Sequence, residues 1–380
     1  MDKVIRNVWR REGTGAHERA SILRHDVHPE GLDVDRVRFV GEGDLALKPG
    51  VGHIVTVHAG EAKLDLGGGE PQLLLGKGTH AYLPPDADAR IVGGPGTGLV
   101  IVSAASAAGS RGKDLLVRDE TFVSACAARG HALRWILTPQ YLSRRIFLHH
   151  DRALVSRLGD PVAWFHTTMF DVAGLPANAD GESVFKMAYN SKTEINVCFD
   201  VVGDARVRMA KHPYAADGQV WDAWQKLDGE SSYHLNEAID GADVEWSDVG
   251  GVKRPARNKH EISTSGHVTL LCMFDPAPTG VERHKPGEYS DYEPLADVIG
   301  RPDYEAHVRA ITALDEMVDA LSLAKARGAL DHPDHAELRA RFEEGRTAQL
   351  AIEAELSTTL AAQGEGREAV IAPWRCPTHS

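Results

Sequence analysis

The sequence predicts a mainly β fold, in which two tandem antiparallel β-barrels are followed by a C-terminal helical hairpin. Two observations predict the barrels. Short β-type runs alternate with glycine- and proline-rich turns from about residue 37 to 103, and the same pattern returns from about residue 162 to 274. Such runs, with a turn signal about every eight to twelve residues, are typical of antiparallel sandwiches and barrels. A third observation, helical spacing of apolar residues beyond residue 291, predicts the hairpin.

The first β region contains the runs "RVRFVGEGDLALKPG", "HIVTVHAGEAKLDLGGG" and "ARIVGGPGTGLVIVSA". Its β-branched residues recur at period two between the turns, and a helical bundle would not carry this much glycine. We therefore expect one barrel within residues 1–112. Residues 113–160 read as a connector, with a short helix around "FVSACAARGHALRW".

The second β region contains "SVFKMAY", "TEINVCFDVVGDARVRMA" and "HVTLLCMFDP". It predicts a second barrel over residues 161–290. The segment 211–249, which includes "WDAWQKLDGESSYHLNEAIDG", reads as an insertion into that barrel.

The last region, residues 291–380, reads as two amphipathic helices and a tail. Apolar residues fall at three- and four-residue steps before a break at Pro333, and a similar pattern follows the break. The first set is Val308, Ile311, Leu314, Val318 and Leu321. A short turn between the helices predicts an antiparallel hairpin, packed either on a barrel or on a partner subunit.

Composition excludes several classes of function. The 42 Lys+Arg against 55 Asp+Glu give a formal charge of −13, which disfavours binding to nucleic acid or to anionic membranes because the basic residues do not cluster. No apolar stretch reaches about 18 residues, so neither a membrane span nor an ordinary secretion signal is expected. The four cysteines show no CxxC spacing, which argues against a disulfide framework and favours the cytoplasm.

Two barrel-sized β regions in tandem, together with "PARNKH" at residues 255–260 before an apolar strand, resemble a bicupin. The resemblance covers a little under half of the chain. It implies the double-stranded β-helix fold, in which two short motifs bring three histidines and a glutamate to one divalent metal with open coordination positions.

The first repeat resembles the family in shape but not in its metal ligands. "PGVGHIVTVHAGEAKLDL" resembles the first motif without its metal loop, and "GKGTHAYLPPDADARIV" resembles the second motif. Ala89 and Arg90 stand where the histidine is expected. The histidines nearby, His53, His58 and His80, are more often structural than ligands at isolated positions, so we expect this barrel to be metal-free.

The second repeat keeps more of the pattern. Glu194 stands at the position of the motif's carboxylate, whereas "MAYN" replaces its two histidines, and Pro255 and His260 keep the Pro-to-His spacing. His260 is therefore the best ligand candidate. His234 and Glu237, three residues apart in the insertion, could complete the site if they lie on a helix or tight turn, or they could belong to an ordinary surface loop.

Further residues are candidates for substrate binding and proton transfer. Arg208 and Arg257 could pair with a substrate carboxylate, since guanidinium binds carboxylate in a fork. His166 could project into the barrel or could be a core histidine. Tyr189 or Tyr233 could donate a hydrogen bond or a proton.

The resemblance implies a metalloenzyme that acts on a small polar molecule, with an iron-dependent oxygenase as the leading expectation. Fe(II) is the expected metal, with manganese or zinc as alternatives. A cupin isomerase, lyase or cyclase is the first alternative function, and a non-catalytic bicupin with a ligand-binding or structural role is the second. The apolar face of the hairpin makes a homodimer reasonable.

Overall fold

The computed structural model of the chain consists mainly of antiparallel β-strands and ends in a pair of helices. It describes residues 3–11, 15–24, 32–104, 115–119, 122, 146–148, 168–171, 183–190, 193–212, 221–235, 246–249, 252–255, 257–275 and 302–361.

The strands of the first part of the chain are β1 (Lys3–Arg6), β2 (Arg10–Arg11), β3 (His17–Leu23), β4 (Leu32–Phe39), β5 (Gly43–Ala46), β6 (Gly52–Ala59), β7 (Glu61–Asp65), β8 (Leu73–Gly76), β9 (Thr79–Leu83), β10 (Arg90–Gly93), β11 (Gly98–Ala104) and β12 (Leu116–Asp119). Those of the second part are β13 (Ile146–Leu148), β14 (Thr168–Asp171), β15 (Ser183–Asn190), β16 (Thr193–Val202), β17 (Ala205–His212), β18 (Gln225–Leu227), β19 (Ser231–Leu235), β20 (Trp246–Val249), β21 (Val252–Pro255), β22 (Arg257–Thr264) and β23 (His267–Asp275).

The strands pair into two units that share one strand order. Unit 1, which holds β2 to β12, has a large sheet β12-β9-β6-β11-β4-β3-β2 and a small sheet β5-β10-β7-β8. Unit 2 has a large sheet β1-β19-β16-β23-β14-β13 and a small sheet β15-β22-β17-β18, with β20 and β21 forming a separate ribbon. The eight central strands can be numbered 1 to 8 along the chain, starting at β4 in unit 1 and at β14 in unit 2 and leaving out the ribbon. In both units the large sheet then has the order 1-8-3-6 and the small sheet the order 2-7-4-5. This is a jelly roll.

The core of unit 1 lies between its two sheets. Successive side chains of a strand point to opposite faces, so Val55 and Val57 of β6 face inward. They meet Leu64, Leu75 and Ile91 from the small sheet, and all five side chains are fully buried. Each such side chain contributes roughly 1.5–3 kcal/mol by leaving water.

The outer face of the large sheet of unit 1 is buried too, because unit 2 packs against it. Arg36 of β4 is 4% exposed, and its Nη1 donates to the carbonyl oxygens of Cys198 at 3.1 Å and Gly229 at 2.5 Å. The ring of His58 stacks on Phe199 of β16, with 5.1 Å between the ring centroids. The two units therefore share a buried interface.

The helices α1 (Pro302–Ala326) and α2 (Ala336–Ala361) form the hairpin, joined through a short 3-10 turn at Pro333–His335. Their contact is apolar: Leu314, Val318 and Leu321 of α1 cluster with Phe342 of α2. The predicted fold class, tandem antiparallel barrels with a C-terminal helical hairpin, is confirmed.

The hairpin docks on unit 1 through β12. Arg118 donates from Nε to the Asp319 carboxylate of α1 at 2.9 Å, and both side chains are nearly fully buried. Lys325 of α1 donates to the carboxylate of Asp119 at 2.8 Å. The hairpin thus packs on a barrel, one of the two arrangements that its apolar stripe allowed. Neither described helix is long and apolar enough to span a lipid bilayer.

Two parts of the architecture differ from what the sequence predicts. Strands β1, β2 and β3 precede the first expected β run. The partner of β1 is the distant strand β19, and the pairing of β3 with β4 has a register shift between Ser21 and Leu23. The segment expected as an insertion contains β18 and β19, which are the fifth and sixth strands of the second jelly roll. Turn-rich sequence around these short strands concealed their place in the sheets.

One close backbone approach in unit 2 should be decisive for its stability. A Cβ on Gly266 would lie 2.1 Å from the carbonyl oxygen of Val202, and backbone cannot move aside cheaply. We expect Gly266→Ala to lower the free energy of unfolding by about 2 kcal/mol or more. Gly76→Ala is the control, because its Cβ would meet nothing within 4 Å. Urea titration measures both, and equal midpoints would contradict the described turn contact.

Candidate functional site

The inner face of the small sheet of unit 2 contains the position of His260. In β22 this residue lies opposite Met187 of β15 and opposite Met209 of β17. Directly opposite residues of an antiparallel pair share a face of the sheet. Met209 is fully buried, as is Ile262, two residues further along β22. The position of His260 is therefore on the face between the sheets.

The large sheet contributes the position of Glu194. Phe199 of β16 contacts unit 1, so the alternate residues Asn196 and Cys198 lie on the inner face. Both are fully buried. Glu194 is two residues before Asn196 and shares that face. The inner-face carboxylate expected from the family motif thus has a matching strand position.

The strand bounds bring these positions to one end of the jelly roll. Strand β15 ends at Asn190 and β16 begins at Thr193, so Tyr189 and Glu194 lie beside the neighbouring ends of two consecutive strands. Tyr189 lies opposite Asn258, two residues before His260, and hence on the same face as His260. Tyr189, Glu194 and His260 therefore occupy inner-face positions close to the same corner.

Tyr233 joins this inner face from β19. It lies opposite Asn196, and both side chains are completely buried. Asn196 escaped the sequence analysis, although its period-two spacing from Glu194 marks it as a neighbour on the same face. A phenol and an amide thus line the interior beside the Glu194 position.

His234 is placed differently from the expected metal site. It lies opposite Ile195, on the face of the sheet that does not carry Glu194 and Tyr233. Its other neighbour in the register is Lys3 of β1. Because adjacent residues of a strand lie on opposite faces, the register does not bring His234 and Glu194 together. His234 and Glu237 could bind one metal together only from a helix or a tight turn. His234 lies in a strand instead.

The remaining candidates fall outside the inner face or outside the description. Glu237 and His166 lie outside the described residues. Arg257 is opposite Asn190 and three residues before His260, hence on the opposite face. The side chains of Tyr189, Glu194, His234, Arg257 and His260 are not described, so their assignment rests on strand register.

Arg208 lies on the outer surface of the small sheet of unit 2. Its neighbours along β17, Val207 and Met209, are the buried inner residues. The Arg208 guanidinium carbon is 4.7 Å from the ring centroid of Trp221 and 4.6 Å from that of Trp224. These contacts suit a cation–π cluster. They remove Arg208 from the interior and do not support a role for it in binding substrate there.

In unit 1 the corresponding inner position is held by His53, the second residue of β6. Its Nε2 is 2.8 Å from the carbonyl oxygen of Lys48, which only accepts, so Nε2 carries the proton. Its Nδ1 then accepts from the Ser103 hydroxyl at 2.8 Å. Burial lowers the pKa of His53 and keeps the ring neutral. Both ring nitrogens are engaged, which leaves no lone pair for a metal.

The other two histidines of unit 1 lie on the outer face, in the interface with unit 2 or beside it. Nδ1 of His80 is 2.9 Å from the Thr56 hydroxyl, and the ring is fully buried. His58 stacks on Phe199. Burial lowers the pKa of His80 to about 3; burial, followed by the charges of Arg36 and Lys77, lowers that of His58 to about 3.

A cavity of about 270 Å³ opens beside His53 at the mouth of unit 1. Its lining includes Arg19, Arg24, Asp35 and Lys48. Asp35 accepts from both arginines, at 3.3 Å from Arg19 and 2.5 Å from Arg24. Within the part of the chain whose side chains are described, no three His, Cys, Asp or Glu side chains are grouped to hold a metal.

Both units repeat one jelly-roll strand order, and unit 2 carries the candidate positions on its inner face. The fold is two jelly rolls in tandem, the architecture that the bicupin resemblance implies. No family model matches the chain, and no curated protein matches it.

Solved structures resemble this protein at low similarity. An oxalate decarboxylase variant from Bacillus subtilis is 10% identical, with a TM-score of 0.41 over 73% of this chain and 78% of that one. The putative glyoxylate induced protein from Pseudomonas aeruginosa is 14% identical, with a TM-score of 0.41 over 70% and 82%. The vicilin from Solanum melongena is 12% identical, with a TM-score of 0.41 over 72% and 82%. Values this low carry no information on activity.

The interface histidine His58 makes the stability of the protein sensitive to acid. In the unfolded chain it binds a proton as the pH falls through about 6.5, whereas in the folded protein it stays neutral down to about 3. Unfolding therefore takes up a proton between these values. The free energy of unfolding falls as the pH drops through this window, by up to about 1.4 kcal/mol per pH unit.

Replacing His58 tests this linkage. His58→Phe keeps a ring against Phe199 but removes the titrating group. We expect the number of protons taken up on unfolding, which sets the slope of the free energy of unfolding against pH, to fall by about one. Phe199→Leu is the control, since it weakens the same contact and lowers stability without removing a titrating group. Urea unfolding at a series of pH values measures the slopes, and a wild-type slope in His58→Phe would refute the buried neutral state.

Proposed function

We propose that this bicupin is a metalloenzyme acting on a small polar molecule, with its site inside unit 2. The observation that carries the proposal is the register that puts Glu194 and His260 at inner-face positions near one corner of the second jelly roll. A carboxylate and an imidazole at these strand positions are what the cupin motifs require.

The candidate donors fit a divalent metal in type. His260 would supply an imidazole and Glu194 a carboxylate, which are two of the ligand types found in non-haem iron sites. The third protein ligand is not identified among the described residues. When bound, Fe(II) would supply open coordination positions for a substrate and dioxygen, as an oxygenase requires. The oxygenase is proposed from the family resemblance, and an isomerase, lyase or cyclase on the same scaffold is the alternative.

The protein's own residues would select and handle the substrate. Tyr233 is completely buried beside Asn196, so its phenol lies in a region from which bulk water is excluded. There it could donate a hydrogen bond or a proton to a polar group of the substrate, and Tyr189 occupies an inner position at the same corner. Asn196 would orient the substrate through its amide. Burial strengthens such hydrogen bonds because the local dielectric constant is low.

A non-catalytic, ligand-binding bicupin is the second candidate. The observation that favours it is the replacement of the two motif histidines by "MAYN", whose inner positions Met187 and Tyr189 lie beside His260 in the register. Two of the usual ligands are therefore missing from the strand that should hold them.

Metal content separates the two candidates. We expect the purified wild-type protein, expressed with ample iron, manganese and zinc, to carry close to one metal ion per chain. Both His260→Ala and Glu194→Gln should reduce that content at least about tenfold, since loss of even an outer-shell partner costs about 10- to 100-fold in affinity. Elemental analysis by mass spectrometry gives the stoichiometry.

The matched control is His53→Gln, which changes the corresponding inner position of unit 1. It should leave the metal content unchanged. Metal far below one ion per chain in the wild type would overturn the metalloenzyme and leave the ligand-binding bicupin. Equal loss in His53→Gln would move the site to unit 1.

A further inference from the structure

The first strand of the chain completes the sheet of the second jelly roll. Strand β1 pairs with β19 in the register Lys3 to His234, Val4 to Tyr233, Ile5 to Ser232 and Arg6 to Ser231. Nothing in the sequence near β1 connects it to a partner more than two hundred residues away.

Contacts beyond the ladder fix the segment on both sides. The Asn7 amide donates to the carbonyl of Glu230 at 3.0 Å, and the Val4 amide donates to the side-chain oxygen of Gln225 at 3.2 Å. Arg6 also pairs with Asp228.

Trp9 anchors the segment to both units at once. Its indole nitrogen donates to the Glu230 carboxylate of unit 2 at 2.7 Å. The Arg38 guanidinium carbon, from β4 of unit 1, lies 4.3 Å from the centroid of its ring, and that of Arg36 lies 5.9 Å away. The segment therefore spans the boundary between the two jelly rolls.

Unit 1 has an equivalent added strand, and the comparison shows that β1 is the less covered of the two. Strand β12 pairs with β9, the sixth strand of its jelly roll, as β1 pairs with β19. Helix α1 covers β12, whereas Ile5 is 43% exposed and Val8 is 67% exposed. A short strand with exposed side chains has a low free energy of local opening.

We propose that residues 3–9 are an intramolecular complementing strand, which docks reversibly on unit 2 and keeps β19 in place. The ligand that unit 2 accepts at this edge is thus an extended peptide, bound by strand addition. Since β19 carries Tyr233, undocking would turn the strand bearing this buried phenol into a free sheet edge. The segment is then a positioning element for the inner face of unit 2.

Substitution at Ile5 tests the docking in the full chain. The Asn7 amide donates to Glu230, the residue just before β19. In an antiparallel ladder every second residue directs its amide toward the same neighbouring strand, so the Ile5 amide also faces β19. Ile5→Pro removes that donor, whereas Ile5→Ala keeps it and trims a half-exposed side chain. We expect amide hydrogen exchange in residues 231–235 to speed up about tenfold in Ile5→Pro and to stay near wild type in Ile5→Ala.

Exchange in residues 52–59 of unit 1 is the internal reference and should not change. Equal protection of residues 231–235 in Ile5→Pro and wild type would overturn the proposal. The readout follows the backbone of β19, so it does not depend on whether unit 2 binds a metal.

A second arm supplies the strand in trans. The chain lacking residues 2–11 should show the fast exchange in residues 231–235, and a synthetic peptide of residues 1–11 should restore protection. A scrambled peptide of the same composition should not. Equal effects of the two peptides would overturn specific strand addition, and the Ile5 pair decides the question if the shortened chain does not fold.

Discussion

Burial of both faces of the two large sheets is the constraint on which the rest of the structure depends. Seven of the eight residues of β6 are buried, since alternate side chains pack into the core of unit 1 and against unit 2. Polar groups in such a layer must find partners, because an unpaired buried polar group costs about 1–3 kcal/mol. Arg36 meets the requirement by donating to two carbonyls of unit 2. The Thr56 hydroxyl and Nδ1 of His80 are partners at 2.9 Å.

The parts of the fold that sequence could predict are those encoded locally. The runs between residues 37 and 103 carry their own turn signals, and the apolar steps of α1 recur every three or four residues. Arg36 offers no such signal. Its carbonyl partners lie 162 and 193 residues away, so only the assembled interface reveals that this arginine is a buried link and not a solvated one.

Parity along a strand decides which candidate positions belong together. Glu194 and His260 could be proposed from the motif because the motif gives each residue a place within its own strand. His234 could not be excluded in that way, since its face depends on whether residues 231–235 form a loop or a strand. Once β19 pairs with β16, Tyr233 holds an inward position, and His234, the next residue along the strand, holds an outward one. Asn196 enters the inner face by the same rule.

The reciprocal placement of β1 and β12 has a consequence for how the chain is divided. Each precedes the outer strand of one jelly roll, β3 or β13, and each pairs with the sixth strand of the other. This is the connectivity of a domain-swapped dimer whose two protomers have been joined end to end. Severing the polypeptide between the jelly rolls would leave each half holding a strand that belongs to its neighbour. The exchanged strands therefore tie the two jelly rolls together in addition to the buried interface between their large sheets.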